Sequence, residues 1–210
     1  MLAKSVASPI TVIRSLEGSD TFEHIKRFAC SRYADVHQAQ LRHFLPMQYV
    51  LCQGSHWLAS CGLRFAGEQS LFLEQYLDSP IEQLLTERLQ RPVARWQIAE
   101  VGNLAGEQGS ARLMILSLTR LLATEGLEFV VFTATRQLQS AFARLGLNPW
   151  FLTDAEAGRL GDDAHSWGRY YQQKPAVFAG SVSSGWQAIV SQRALQHVLG
   201  HVESEVRDVF

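Results

Sequence analysis

Apolar positions in this chain switch between two periods, one that fits helices and one that fits strands. Residues 10–16 read as a first strand. Phe22, Ile25, Phe28 and Ala29 then recur at helical spacing and predict a helix over residues 20–41, with Asp20 as its N-cap. His43-Phe-Leu-Pro46 breaks it. Residues 48–53 and 56–65 read as a hairpin around Gly54-Ser55, and residues 70–76 as a further strand. Pro80 suits the first turn of a helix reaching Gln90, with Ile81, Leu84, Leu85 and Leu89 as its buried stripe.

Residues 95–104 predict the next strand, and residues 110–124 a helix apolar on most sides, stopped near Gly126. Phe129-Val-Val-Phe132 is the continuous apolar run of a strand covered on both faces. A helix over residues 135–145 follows, with Leu138, Ala141, Phe142 and Leu145 inward. Strand, turn, helix, strand in this order favours a right-handed crossover between parallel strands. Beyond Pro149 the pattern gives a short strand at Trp150, a loop or short helical turn over residues 154–164, the aromatic cluster Trp167-Gly-Arg-Tyr-Tyr171, and a last strand over residues 175–181. Trp186, Ile189, Val190, Val198, Leu199, Val202 and Val206 then predict one amphipathic helix over residues 184–209. The reading is one α/β domain over residues 1–182, with residues 183–210 as a helix packed on it or on a second copy; that apolar helix makes a homodimer plausible.

Composition narrows the function. With 47% hydrophobic and 19% charged residues, the 210-residue chain has ample material for a core. A formal net charge of -1 without a basic cluster argues against nucleic acid and against adsorption to a membrane by charge. Three cysteines, Cys30, Cys52 and Cys61, with no CxxC spacing fit a reducing compartment. The N-terminus is too polar for a signal peptide, so the cytoplasm is the expected location. His197 and His201 have a metal-compatible spacing but no evident third ligand, and no metal is expected.

The chemistry concentrates at residues 95–113. A strand carrying Glu100 runs into Gly106-Glu-Gln-Gly109 and then a helix N-terminus. Free N–H groups at the positive end of a helix dipole suit a phosphate. Gly106, Gly109, Ser110, Ala111 and Arg112 are thus candidates to hold the pyrophosphate of an acyl carrier, with Leu104 on the strand that pairs with its pantetheine arm. Glu100 is the candidate general base, with a pKa raised by apolar neighbours. Asn103 and a backbone N–H between residues 101 and 103 are candidates to support the oxyanion. This requires a V-shaped gap between the Glu100 strand and the Phe129 strand, open toward Gly109.

Glu100-Val-Gly-Asn-Leu-Ala105, Leu71-Phe-Leu-Glu-Gln-Tyr-Leu-Asp78 with Pro80-Ile-Glu82, Phe132-Thr-Ala-Thr135 and Trp167-Gly-Arg-Tyr-Tyr171 with Pro175 resemble the thermostable hemolysin family over roughly residues 20–180. Their order resembles the GNAT acyltransferase fold, and especially its N-acylhomoserine lactone (autoinducer) synthases. The resemblance implies a GNAT-like mixed central sheet flanked by helices, and an acyl-CoA or acyl-carrier-protein thioester as donor. Asn103 stands where the synthases have an arginine. Gly106-Glu-Gln-Gly109-Ser-Ala111 keeps the last two fixed positions of the GNAT pyrophosphate loop and lacks the first. Phe142 stands where GNAT enzymes carry a tyrosine that protonates the leaving thiolate.

Alternation on a strand would put Glu74, Tyr76 and Asp78 on one face, where they could hold a cationic amine; a solvated strand end is the plainer reading. Trp167, Tyr170 and Tyr171 are candidates for an acyl or acceptor wall, or for core packing. The expected function is N-acyl transfer from a CoA or carrier-protein thioester to a small-molecule amine, with an acyl carrier protein as a potential partner. A membrane-active protein, as the family name implies, and a non-catalytic acyl-ligand binder are the alternatives.

Overall fold

The computed structural model describes residues 8–209. Among the described residues, eight strands form a single mixed sheet flanked by helices. The strands are β1 (Ile10–Leu16), β2 (Met47–Gln53), β3 (His56–Phe65), β4 (Ile98–Gly106), β5 (Phe129–Ala134), β6 (Trp150–Asp154), β7 (Ala176–Ser181) and β8 (Val202–Val209). Their spatial order is β6-β7-β5-β4-β3-β2-β1-β8. The β4–β5 and β1–β8 pairs are parallel and the others antiparallel.

Helices cover both faces. On one, α1 (Asp20–His37), α2 (Ile81–Leu89) and several 3-10 turns bury Tyr33, Leu73, Ile81 and Leu85 against Ile98 and Val131. On the other, α3 (Ser110–Thr124) lays Met114, Leu118 and Leu122 on Leu51, Cys61 and Ala99. Its opposite side carries Ile115 and Leu116 against α4 (Arg136–Arg144), α5 (Val182–Val190) and α6 (Arg193–Leu199). Packing on both sides accounts for the nearly all-round apolar sequence of α3.

Most elements match the sequence pattern, and the departures have physical causes. Ser19, not Asp20, caps α1: its hydroxyl accepts the Phe22 N–H, while Asp20 sits in the first turn near the helix dipole. Residues 70–76 are not a strand. Phe72–Tyr76 is a 3-10 turn, closed by the Glu74 carboxylate accepting from the Leu71 amide. Residues 95–97 are likewise a 3-10 turn, so β4 starts later and ends later than expected.

The largest correction is at the C-terminus. Residues 184–209 are two short helices and a strand, not one amphipathic helix. The chain breaks at Ser191-Gln192 and again at Gly200-His201. Beyond that, β8 adds in parallel to β1, with Ile10 opposite Val202 and Arg14 opposite Asp208. The Arg14 guanidinium grips Asp208 at 2.6 and 2.9 Å. Val202 and Val206 satisfy a helical stripe and a strand alternation alike; pairing with β1 selects the strand.

Candidate active site

The site begins where two strands part. β4 and β5 pair from Ile98 opposite Phe129 to Val101 opposite Phe132. Past that point β5 continues beside β7 and β4 beside β3. The expected V-shaped gap is present. β4 also bulges there: Ser60 faces Ala105 and Gly62 faces Gly102, leaving Asn103 and Leu104 against Cys61 alone. Asn103 has φ 51°, left-handed backbone that turns the strand away from β5.

A cleft of about 830 Å³ runs through the gap. At its mouth, Gly109 caps α3 with φ 89° and open space around its α-carbon. Gly106 has the opposite reason to be glycine, since a β-carbon there would lie 2.4 Å from the Ser110 hydroxyl and 2.9 Å from the Leu58 carbonyl. Among the described residues, the amides of Gly109, Ala111 and Arg112 have no protein acceptor. Ser110 is different: its N–H and hydroxyl both turn back to the Glu107 carbonyl, at 3.1 and 2.7 Å. The Gly109, Ala111 and Arg112 amides are therefore free, and the Ser110 amide is spent on the turn. Glu107 also borders the cleft but is tied to Arg32 and His56. Leu104 and Arg112 line the cleft as expected.

Glu100 is 3% exposed. Its two oxygens accept the Phe72 and Leu73 amides at 2.8 and 2.9 Å. Burial pushes its pKa from the ordinary 4.5 up to about 7, against the downward pull of those amides and of Arg64. A carboxylate that exchanges its proton near neutrality is suited to general-base work.

Asn103 is used differently from expectation. Its side-chain oxygen accepts the Leu45 amide at 3.1 Å and its nitrogen donates to the His43 carbonyl at 3.0 Å. It clamps the loop after α1 over the bulge, and its amide is not aimed at a reacting centre.

The acidic trio also separates, because its segment is not a strand. Glu74 lies outside the cleft and accepts from Arg95 at 2.7 and 3.0 Å and from the Ile81 amide at 3.2 Å. Burial opposes its ionisation, but Arg95 and the two amides outweigh burial and hold its pKa below the ordinary value. Asp78 pairs with Arg159 at the surface. Tyr76 does line the cleft, and its hydroxyl meets that of Tyr171 at 2.6 Å. Tyr171 buttresses Tyr76 from behind.

Trp167 and Tyr170 border the cleft beside Tyr33, His37 and Phe72. Ring centroids 5.1 to 6.3 Å apart make this one aromatic wall. Across the gap, Phe142 packs on Phe132 at 4.8 Å and has no proton to give. Sequence reasoning passed over Arg64, Phe72 and His37. Arg64 carried a readable signal, as the one Lys or Arg in the apolar run His56–Phe65. Phe72 acts through its backbone, which no side-chain pattern reveals.

Several solved structures share this fold. FeeM, an N-acyl amino acid synthase from uncultured soil microbes, aligns with a TM-score of 0.55 at 11% identity, covering 90% of this chain and 98% of that one. The acyl-homoserine lactone synthase LasI gives a TM-score of 0.55 at 10% identity, covering 94% and 98%. BjaI, a CoA-dependent acyl-homoserine lactone synthase solved with SAM and isopentyl-CoA, gives 0.56 at 10% identity, covering 96% and 93%. The fold is thus GNAT-like. No curated protein matches the sequence. The profile described as thermostable hemolysin spans residues 16–186, which takes in the whole cleft from Glu17 to Gln173. The chain belongs to the thermostable hemolysin family.

Proposed function

We infer that the protein is an N-acyltransferase that moves an acyl group from a CoA or acyl-carrier-protein thioester to a small-molecule amine. The observation that carries this reading is the convergence of three features on one cleft: the parted β4–β5 pair, the free amides at the N-terminus of α3 and buried Glu100. The Gly109, Ala111 and Arg112 amides suit the donor's pyrophosphate, with the Arg112 guanidinium nearby. The unpaired edge of β4 from Gly102 to Gly106 suits the pantetheine amides. The amine nitrogen then attacks the thioester carbonyl, forming the C–N bond and releasing its proton to Glu100. The C–S bond breaks, and the thiolate takes its proton from water, since Phe142 cannot supply one. Holding both reactants in the gap contributes much of the rate.

The test is thiol release from a panel of acyl-CoA donors with amine acceptors. Release that depends on acceptor and disappears in Glu100→Gln, with the fold retained by circular dichroism, supports the reading; release indifferent to Glu100 refutes it. Phe142 favours a second reading, a non-catalytic acyl-ligand binder, for which calorimetry would give acyl-CoA binding without any thiol release. A lytic role is the reading the family name suggests. Among the described residues no helix is long and apolar enough to cross a membrane. Dye leakage from vesicles that persists in Glu100→Gln would favour lysis.

A further inference from the structure

Arg64 stands directly across the ladder from Glu100. Opposed residues of an antiparallel pair share a face, with β-carbons about 5 Å apart. Both side chains line the cleft. One Arg64 amino group donates to the Ser70 carbonyl at 3.0 Å, while Nε is buried with no partner. Among the described residues no carboxylate lies within ion-pair distance of this guanidinium. A second donor is stranded in the lining of the same cleft: Trp167 is 8% exposed, and its indole N–H has no acceptor. Its ring lies 5.9 Å from that of Phe72, whose amide holds Glu100. Buried donors without acceptors are costly, and a forked guanidinium matches a carboxylate. An α-amino acid sets its amine and its carboxylate carbon two bonds apart, a span that bridges neighbouring cross-strand side chains. The surrounding wall of Tyr33, Phe72, Tyr76 and Tyr170 is apolar and aromatic.

We propose that the acceptor is an apolar α-amino acid, with its amine against Glu100 and its carboxylate held by Arg64 and the Trp167 indole N–H. The product is an N-acyl amino acid and the free thiol. The inference rests on the acyl-transfer reading for the place of the amine.

The test pairs L-phenylalanine with phenethylamine, which lacks only the carboxylate, using the full chain and acyl-CoA donors. kcat/KM for phenylalanine is expected to exceed that for phenethylamine by about 100-fold or more. Arg64→Met is expected to bring kcat/KM for phenylalanine down to about that for phenethylamine in the same variant, and Arg64→Lys to restore part of the preference. Equal use of both acceptors, or equal loss of both in Arg64→Met, overturns the proposal. If no acceptor releases thiol, the indole N–H resonance of Trp167 decides separately. A shift with phenylalanine that is absent with phenethylamine and in Arg64→Met supports the amino-acid site while the transfer reading fails. No shift overturns both.

Discussion

Two glutamates meet in one corner of this molecule and are held in opposite ways. Glu74 closes the 3-10 turn Phe72–Tyr76, and Glu100 stands on β4 beneath that turn. Each accepts two backbone amides. Glu74 adds the Arg95 guanidinium, shared with Glu82 at 2.7 Å, and its charge is secured. Glu100 has no such ion pair and less water, so its charge is costly. The Glu74–Arg95 clamp fixes the turn whose next amides grip Glu100. One carboxylate braces the corner, and the other is held in it with its pKa raised by burial. Two amides do not offset burial at Glu100, whereas two amides and a guanidinium do so at the less buried Glu74.

The strongest blow to this contrast is Glu100→Gln. Acyl transfer is expected to fall about 10²–10⁴-fold while Glu74→Gln keeps most of the activity of the folded protein, as measured by thiol release. In the wild type, kcat/KM is expected to rise with pH on a limb centred near 7, and that limb should vanish in Glu100→Gln.

Stability is expected to separate the pair next. The fold raises the pKa of Glu100, so its contribution is complete below the ordinary 4.5 and is lost as pH climbs to about 7. The loss is about 3 kcal/mol at most. Glu74, with its pKa lowered, acts in the opposite sense: its contribution is present above the ordinary carboxylate range and is lost in acid. Urea unfolding at pH 5 and pH 8 reads the first, and Glu100→Gln should flatten that difference.

Arg95→Ala attacks the clamp. Glu74 and Glu82 lose their shared partner, at an expected cost of about 1–2 kcal/mol given the partial exposure of the guanidinium. Looser Phe72 and Leu73 amides should also carry the acid limb of the rate profile to higher pH. The smallest effect is expected at the surface: Arg159→Ala, which removes the partner of the exposed Asp78, should leave the thermal midpoint close to that of the wild type.

Particular residues show how far the chain could be read. The run Phe129-Val-Val-Phe132, the glycine turn before α3 and the all-round apolar α3 identified the parallel crossover. Glu100 was legible because an acid inside such a strand has few other reasons to be there, and Tyr76, Trp167 and Tyr170 did reach the cleft. Asn103 was legible as a position but not as a clamp, because its partners are backbone groups about 60 residues away. Glu74 was misplaced because period-2 alternation in a seven-residue stretch also fits a tight turn.

The sequence by itself determined the local conformations whose signals are local: glycine turns, helix stripes and the apolar run of a doubly covered strand. Tertiary structure decided that residues 202–209 form an edge strand, since only the open edge of β1 distinguishes a strand from a helical stripe of the same valines. It also decided which glutamate would be charged. That depends on the distance to a cation and the exclusion of water, quantities set when remote segments pack together and absent from any window of the chain.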